Sequence, residues 1–260
     1  MSTRTLAWRE IGYVRKVMVR NPQALFFTIG LPLLYLFIFA TFFGSEHELL
    51  IGQGTLKVST VFVASVITIG VVSACFQYLA LSIVRDRESG RLKRLRSAPV
   101  PMWIFLEGYL VNSILTAVLL AVLVGGLGWA VYGVVLPAAH LLAAIVAVLI
   151  GAVTFSALAF AISVVITKLT TMQAAAPAIT LTLFFLSGNF FNIDAAPAAL
   201  RDIATIFPVR HLLEAMLTAF NSGVAGSGFA LADLGVVALW GVAGLIAATL
   251  GFRWTPAGEH

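Results

Sequence analysis

Charge, cysteine and acids within apolar runs are all scarce in this sequence of 260 residues. Charged residues make up 10% of it and hydrophobic ones 60%, whereas soluble domains are roughly a quarter charged. With a mean hydropathy of +1.02, this composition excludes a soluble globular protein. Cys75 is the single cysteine, which excludes an intrachain disulfide and a thiolate metal cage. Set in an apolar run, it reads as a small buried hydrophobe. No G-x-x-x-x-G-K-[ST] occurs in the chain, so no loop here cradles phosphates in the P-loop manner. Glu107 is the one acid well inside the apolar runs, Asp233 lying at the outer edge of the last, and no second intramembrane acid or histidine accompanies it. It reads as a side chain reaching back to the interface or pairing with a loop arginine, not as a proton relay. His47, His140 and His211 fall at or beyond the edges of those runs and read as solvated loop residues rather than a metal site. The long, polar, basic leader is unlike the short n-region of a cleaved signal peptide, so none is expected.

What the sequence has in plenty is apolar length. A helix rising about 1.5 Å per residue needs about twenty residues to cross about 30 Å of hydrocarbon. Six stretches qualify: 24–43, 58–84, 102–128, 139–167, 171–187 and 230–252. The expected fold is a single all-α integral membrane domain over 1–260 with six transmembrane helices. Residues 188–229, neither plainly apolar nor plainly soluble, form the odd segment, within which 197–220 read as an amphipathic helix broken at Pro208. Thirteen of the sixteen Lys and Arg residues fall at the N-terminus, in 85–101, at Lys168 and at Arg253; only Lys57, Arg201 and Arg210 fall on the other side. The positive-inside bias therefore predicts both termini in the cytoplasm. The net charge of +5 follows from that topology and does not argue for nucleic acid.

Residues 1–23 read as a helix lying in the membrane interface, with Leu6, Ile11, Val14, Val17 and Met18 on one face and Arg9, Arg15, Lys16 and Arg20 on the other. Trp8 and Tyr13 suit that interface, and Asn21-Pro22 ends the helix. The 85–101 loop holds six of the basic residues. Asp86 and Glu88 precede Arg91, Lys93, Arg94 and Arg96, an order that complements a helix dipole. Glu88 and Arg91 are spaced as an i,i+3 pair, Leu92 and Leu95 share a face, and Pro99 and Pro101 stop the helix. On physics alone such a helix either anchors the topology or is gripped by a cytoplasmic partner.

The run Glu88-Ser89-Gly90-Arg91-Leu92-Lys93-Arg94-Leu95-Arg96-Ser97-Ala98-Pro99 resembles the loop between the second and third spans of ABC-2 type transport permeases. Leu186-Ser187-Gly188-Asn189-Phe190-Phe191, followed by Pro197, Leu200 and Phe207-Pro208-Val209-Arg210-His211-Leu212-Leu213-Glu214, is similar to the pattern after the family's fifth span. The two motifs, in order and with the topology, extend the resemblance over essentially the whole chain. Arg91 departs from it, since many members carry threonine there; the bases at 93, 94 and 96 fit the drug-resistance-like branch.

The resemblance implies a membrane subunit of an ATP-driven exporter of drugs, lipids or polysaccharides, with the fold of a type V ABC exporter. Glu88, Gly90, Arg91, Leu92, Lys93, Arg94, Leu95 and Arg96 would form a coupling helix docking on a cytoplasmic ABC ATPase. Two permease copies, identical or paralogous, would work with two ATPase subunits in the bacterial cytoplasmic membrane. ATP and Mg would be bound by the ATPase, and this chain would hold no cofactor or metal of its own. The partners are thus the ATPase, a second permease and membrane lipids. In related exporters the first, second and fifth spans border the path, which makes Phe39, Thr68, Ser73, Gln77, Thr180 and Phe184 candidate lining residues. Short re-entrant helices would cap its outer end, with Gly188, Asn189, Phe190 and Phe191 as an outer gate. An apolar path with sparse hydroxyls suits a hydrophobic or amphipathic cargo. For each Ser or Thr the alternative is a hydroxyl bonded to its own helix. A stand-alone secondary transporter or an intramembrane enzyme is the rival class, lacking here the buried ionisable groups, internal repeat or catalytic cluster it needs.

Overall fold

A computed structural model describes residues 3–42, 48–51, 54–92, 102–189, 197–221, 223 and 226–251. Helix α1 (Thr3–Val19) precedes α2 (Pro22–Phe42), a hairpin of β1 (Glu48–Ile51) and β2 (Gly54–Lys57), and α3 (Val58–Glu88). After α4 (Met102–Tyr132), α5 (Leu141–Val165) and α6 (Leu169–Ser187) come two short helices, α7 (Ala198–Ala204) and α8 (Pro208–Phe220), and then α9 (Leu231–Gly251). Among the described residues six helices, α2 to α6 and α9, are long and apolar enough to cross a membrane. The hairpin is the departure from the all-helical expectation. Its antiparallel register sets Glu48 opposite Lys57 and Leu49 opposite Leu56, in strands too short to register as an apolar run.

Helix α3 is the axis of the bundle: 78% of its apolar window is buried, against 22% for α2, α6 and α9. Small residues let neighbours approach it. A Cβ on Gly70 would fall 2.1 Å from Leu120 of α4, and one on Gly128 would fall 2.5 Å from Val63. The same device joins α9 to α5, where Gly241 faces Thr154 and Gly244 faces Ala157 and Leu158. There Thr154 Oγ1 donates across the seam to the Val237 carbonyl at 3.0 Å, the close packing with hydroxyl bridges usual between membrane helices. At 31 residues each, α3 and α4 are about 46 Å long. They exceed the hydrocarbon thickness and carry the stretch around Arg85–Leu92 beyond it; this is the basic end of the bundle.

Helix α1 packs along the start of α4. Val14 and Met18 are buried there, and Met18 Sδ accepts from Asn112 Nδ2 and Thr116 Oγ1. Val17, expected on the same face, is exposed instead, because the contact with α4 is a narrow i,i+4 stripe. Asn21 Oδ1 caps α2 by accepting from the Ala24 amide at 3.0 Å.

Helices α7 and α8 meet at 85° and form a re-entrant hairpin. Phe207, at the bend, stacks on Trp240 with ring centroids 6.4 Å apart; Trp240 is about 14 Å along α9 from its start. Leu212 of α8 lies against Gly151, near the middle of α5, and at the far end of α8 Ala219 packs with Ala143 and Ala144 at the start of α5. The chain thus dips to mid-depth and returns to the side it left, the end opposite the basic one. His140, expected as a solvated residue, is buried at that end, its Nε2 3.2 Å from the Gly226 carbonyl. Gly228 makes room for it: φ is +71° and a Cβ would lie 2.4 Å from His140 Cγ.

Candidate functional site

A cavity of about 500 Å³ lies between α2, α3 and α6, within the size range of small-molecule sites. Toward the basic end its wall is Asn21, Gln23, Arg85 and Gln173; Thr28, Ser73, Gln77 and Thr180 follow, and Tyr35, Ile69, Leu181 and Phe184 lie deepest. The wall helices are irregular where they face it. Helix α2 has a π-helical turn at Phe26–Gly30 and α3 another at Ser73–Tyr78, a distortion frequent at functional sites. Pro32 and Pro177 also line the cavity. Lacking an amide hydrogen, they cannot bond the carbonyls of Thr28 and Gln173 four residues back, which weakens both helices at the wall.

Four expected lining residues, Ser73, Gln77, Thr180 and Phe184, are brought together here. Two are not. Thr68 is buried in the core away from the cavity; its hydroxyl donates to the Ala64 carbonyl of its own helix at 3.0 Å, as that of Thr180 does to the Ala176 carbonyl at 2.8 Å. Phe39 stacks on Phe62 with centroids 5.5 Å apart, extending an aromatic run beyond the cavity through Tyr35. Tyr35 itself, Asn21, Gln23 and Arg85 belong to the wall and escaped sequence reading; polar residues at the ends of spans look like interface anchors until the helices are assembled.

The tip of α3 is tied into three other helices. Arg87 is 1% exposed and its Nη1 donates to the Ser163 carbonyl in the last turn of α5 at 2.6 Å. Glu88 accepts from the Leu169 amide in the first turn of α6 at 2.8 Å. Adjacent residues of opposite charge thus meet opposite helix poles, the cation a C-terminus and the anion an N-terminus, each the favourable match for the helix dipole. The expected Glu88–Arg91 pair is not what forms. Arg91 instead pairs with Asp86, which also accepts from the Tyr109 hydroxyl of α4. The Arg91 guanidinium lies 4.0 Å over the Tyr13 ring of α1, in cation–π range. Gly90 takes φ +69° with open space around it, and Leu92 is fully buried. Lys93, Arg94, Leu95 and Arg96 lie outside the described residues. The burial of Arg87 was not legible, because it depends on which arginine of a basic cluster turns inward.

At the opposite end, Gly188 closes α6 with φ +84°, a left-handed cap that glycine takes without strain. Asn189 is buried beside it and donates to Ser187 Oγ. Phe190 and Phe191 lie outside the described residues. The hairpin bend puts non-helical backbone at membrane depth, where every carbonyl needs a donor. Two side chains supply them: His211 Nε2 reaches the Thr205 carbonyl at 2.8 Å, and Trp240 Nε1 the Ile206 carbonyl at 2.8 Å. His211 Nδ1 is meanwhile 2.7 Å from Asp233 Oδ1 at the start of α9.

A family model described as ABC-2 type transporter matches residues 1–221. No curated protein matches the chain.

Proposed function

The chain belongs to the ABC-2 type transporter family, a multi-pass membrane component of an ABC transporter, and from that premise we propose that it is the permease subunit of an exporter. Its cargo is a hydrophobic or amphipathic molecule: a drug, a lipid or a lipid-linked glycan. A separate ABC ATPase, in two copies that bind ATP and Mg, drives two permease copies in the bacterial cytoplasmic membrane. The basic end, with both termini, faces the cytoplasm, in keeping with the distribution of Lys and Arg.

One observation carries the reading. The cavity between α2, α3 and α6 and the ties at the α3 tip share a helix: Arg85 lines the first, and Arg87 and Glu88 make the second. A push on the loop that follows Glu88 is therefore delivered to the start of α6 and the end of α5, and α6 is a wall of the cavity. The loop from Glu88 through Arg96 is the coupling element on this account, and the stretch from Gly188 through Phe191, with the α7–α8 hairpin, is the gate at the far end.

The test is purification of the tagged chain in mild detergent from the cells that make it, with identification of what accompanies it. A stoichiometric ATPase that is lost from the Arg94→Glu, Leu95→Glu double variant is the expected result. A chain that arrives without any ATPase contradicts the proposal.

A further inference from the structure

The cavity is graded in polarity and carries charge of one sign. Arg85 at one end and Ile69 at the other both belong to its wall; sixteen residues of helix separate them, about 24 Å, most of the thickness of the hydrocarbon. Amides from Asn21, Gln23 and Gln173 accompany Arg85, while Tyr35, Leu181 and Phe184 close the deep end. Among the described residues Arg85 is the only charged one lining the cavity, and no carboxylate faces it there. Its acidic neighbours are engaged elsewhere: Asp86 with Arg91 and Tyr109, and Glu88 with the Leu169 amide.

A guanidinium fork matches a carboxylate or phosphate with two parallel bonds. Beside it a cationic group meets like charge in a setting drier than bulk water, where such repulsion is strongest. Resting on the reading of this cavity as the transport path, we propose that it takes an amphiphile with an anionic carboxylate or phosphate head. The head sits at Arg85 with the amides of Asn21, Gln23 and Gln173, and the apolar tail runs past Gln77 toward Ile69 and Phe184. Cationic amphiphiles are selected against at the same point.

The experiment uses the permease with its copurified ATPase in phosphatidylcholine nanodiscs, carrying Gln77→Cys as a reporter in the cavity wall. Cys75 is buried, so the introduced thiol dominates maleimide labelling. Dodecyl phosphate, dodecyltrimethylammonium and inorganic phosphate are each titrated against the labelling rate. The expected result is protection by dodecyl phosphate at about tenfold lower concentration than by the ammonium probe, the factor expected of one charged hydrogen-bonded contact. Arg85→Gln abolishes that preference, Arg85→Lys retains most of it, and inorganic phosphate protects in neither. Equal protection by both amphiphiles, or a preference that survives Arg85→Gln, overturns the anionic-head assignment and leaves the path standing. Protection by inorganic phosphate alone shows a simple anion site and overturns the amphiphile. Labelling indifferent to every probe removes the path reading, and this proposal with it.

Discussion

The basic end and the hairpin end of the bundle are both places where chain turns between apolar helices, yet they are secured by different chemistry. At the basic end the ties are charged: Arg87 to a helix C-terminus, Glu88 to a helix N-terminus, and Asp86 with Arg91 and two tyrosines. At the hairpin end apolar packing and a ring stack predominate, with His211 and Trp240 reaching stray carbonyls and two ion pairs, His211 with Asp233 and Arg210 with Glu214, beside them. Helix α8 buries nine residues, so it is part of the core. The more exposed of these charged ties, Glu88 with Leu169 and Asp86 with Arg91, can exchange partners at small cost when a neighbour moves, whereas the buried Arg87 and a packed helix cannot. On the proposed function, the difference separates the end where force would enter from the end that would resist it.

Substitutions can break that comparison. The largest effect is expected from Arg87→Ala, which removes both a charged hydrogen bond and one of the largest buried side chains. A loss of about 3–5 kcal/mol follows from the vacancy and the lost bond, read as the steepest fall in the thermal unfolding midpoint of the detergent-purified chain. A midpoint equal to the parent's contradicts the buried tie.

Trp240→Phe keeps a ring against Phe207 but withdraws the donor from the Ile206 carbonyl at membrane depth. The expected cost is about 1–3 kcal/mol, accompanied by faster labelling of a cysteine placed at Thr205. An unchanged labelling rate shows that the hairpin does not depend on that cap.

Asp86→Asn is the smallest of the three. The Asp86 and Arg91 side chains are 16% and 12% exposed, and the pair contributes on the order of 1 kcal/mol. Its signature is salt: the parent should lose protection of the basic end from protease as salt rises to about 1 M, where the screening length falls to about 3 Å, and the variant should lose nothing further. Protection of the hairpin end, where apolar packing predominates, should fall less with salt than that of the basic end, and equally in parent and variant.

How much of this was legible follows from which interactions are local. Apolar length marked the six spans, and Pro208 marked the break in the hairpin, because both are properties of consecutive residues. Ser73, Gln77, Thr180 and Phe184 were legible as polar or bulky positions in otherwise apolar runs, and the resemblance pointed to spans that wall the cavity. Thr68 looks identical in sequence; only assembly shows that it faces the core rather than the cavity. Arg87, Tyr109 and Trp240 were missed for the same reason, since their partners lie 76, 23 and 34 residues away. His140 was misread because its burial depends on Gly226 and Gly228, which follow it by more than eighty residues.

The most direct test of the account is whether ATP moves the cavity wall through the α3 tip. Labelling of a cysteine at Gln77 is measured in the permease–ATPase complex with and without ATP, in the parent and in Glu88→Ala. The account predicts a rate that changes at least severalfold with ATP in the parent and does not change in Glu88→Ala, although the ATPase still copurifies. A parent rate indifferent to ATP, or a response that persists without the Glu88 carboxylate, contradicts it.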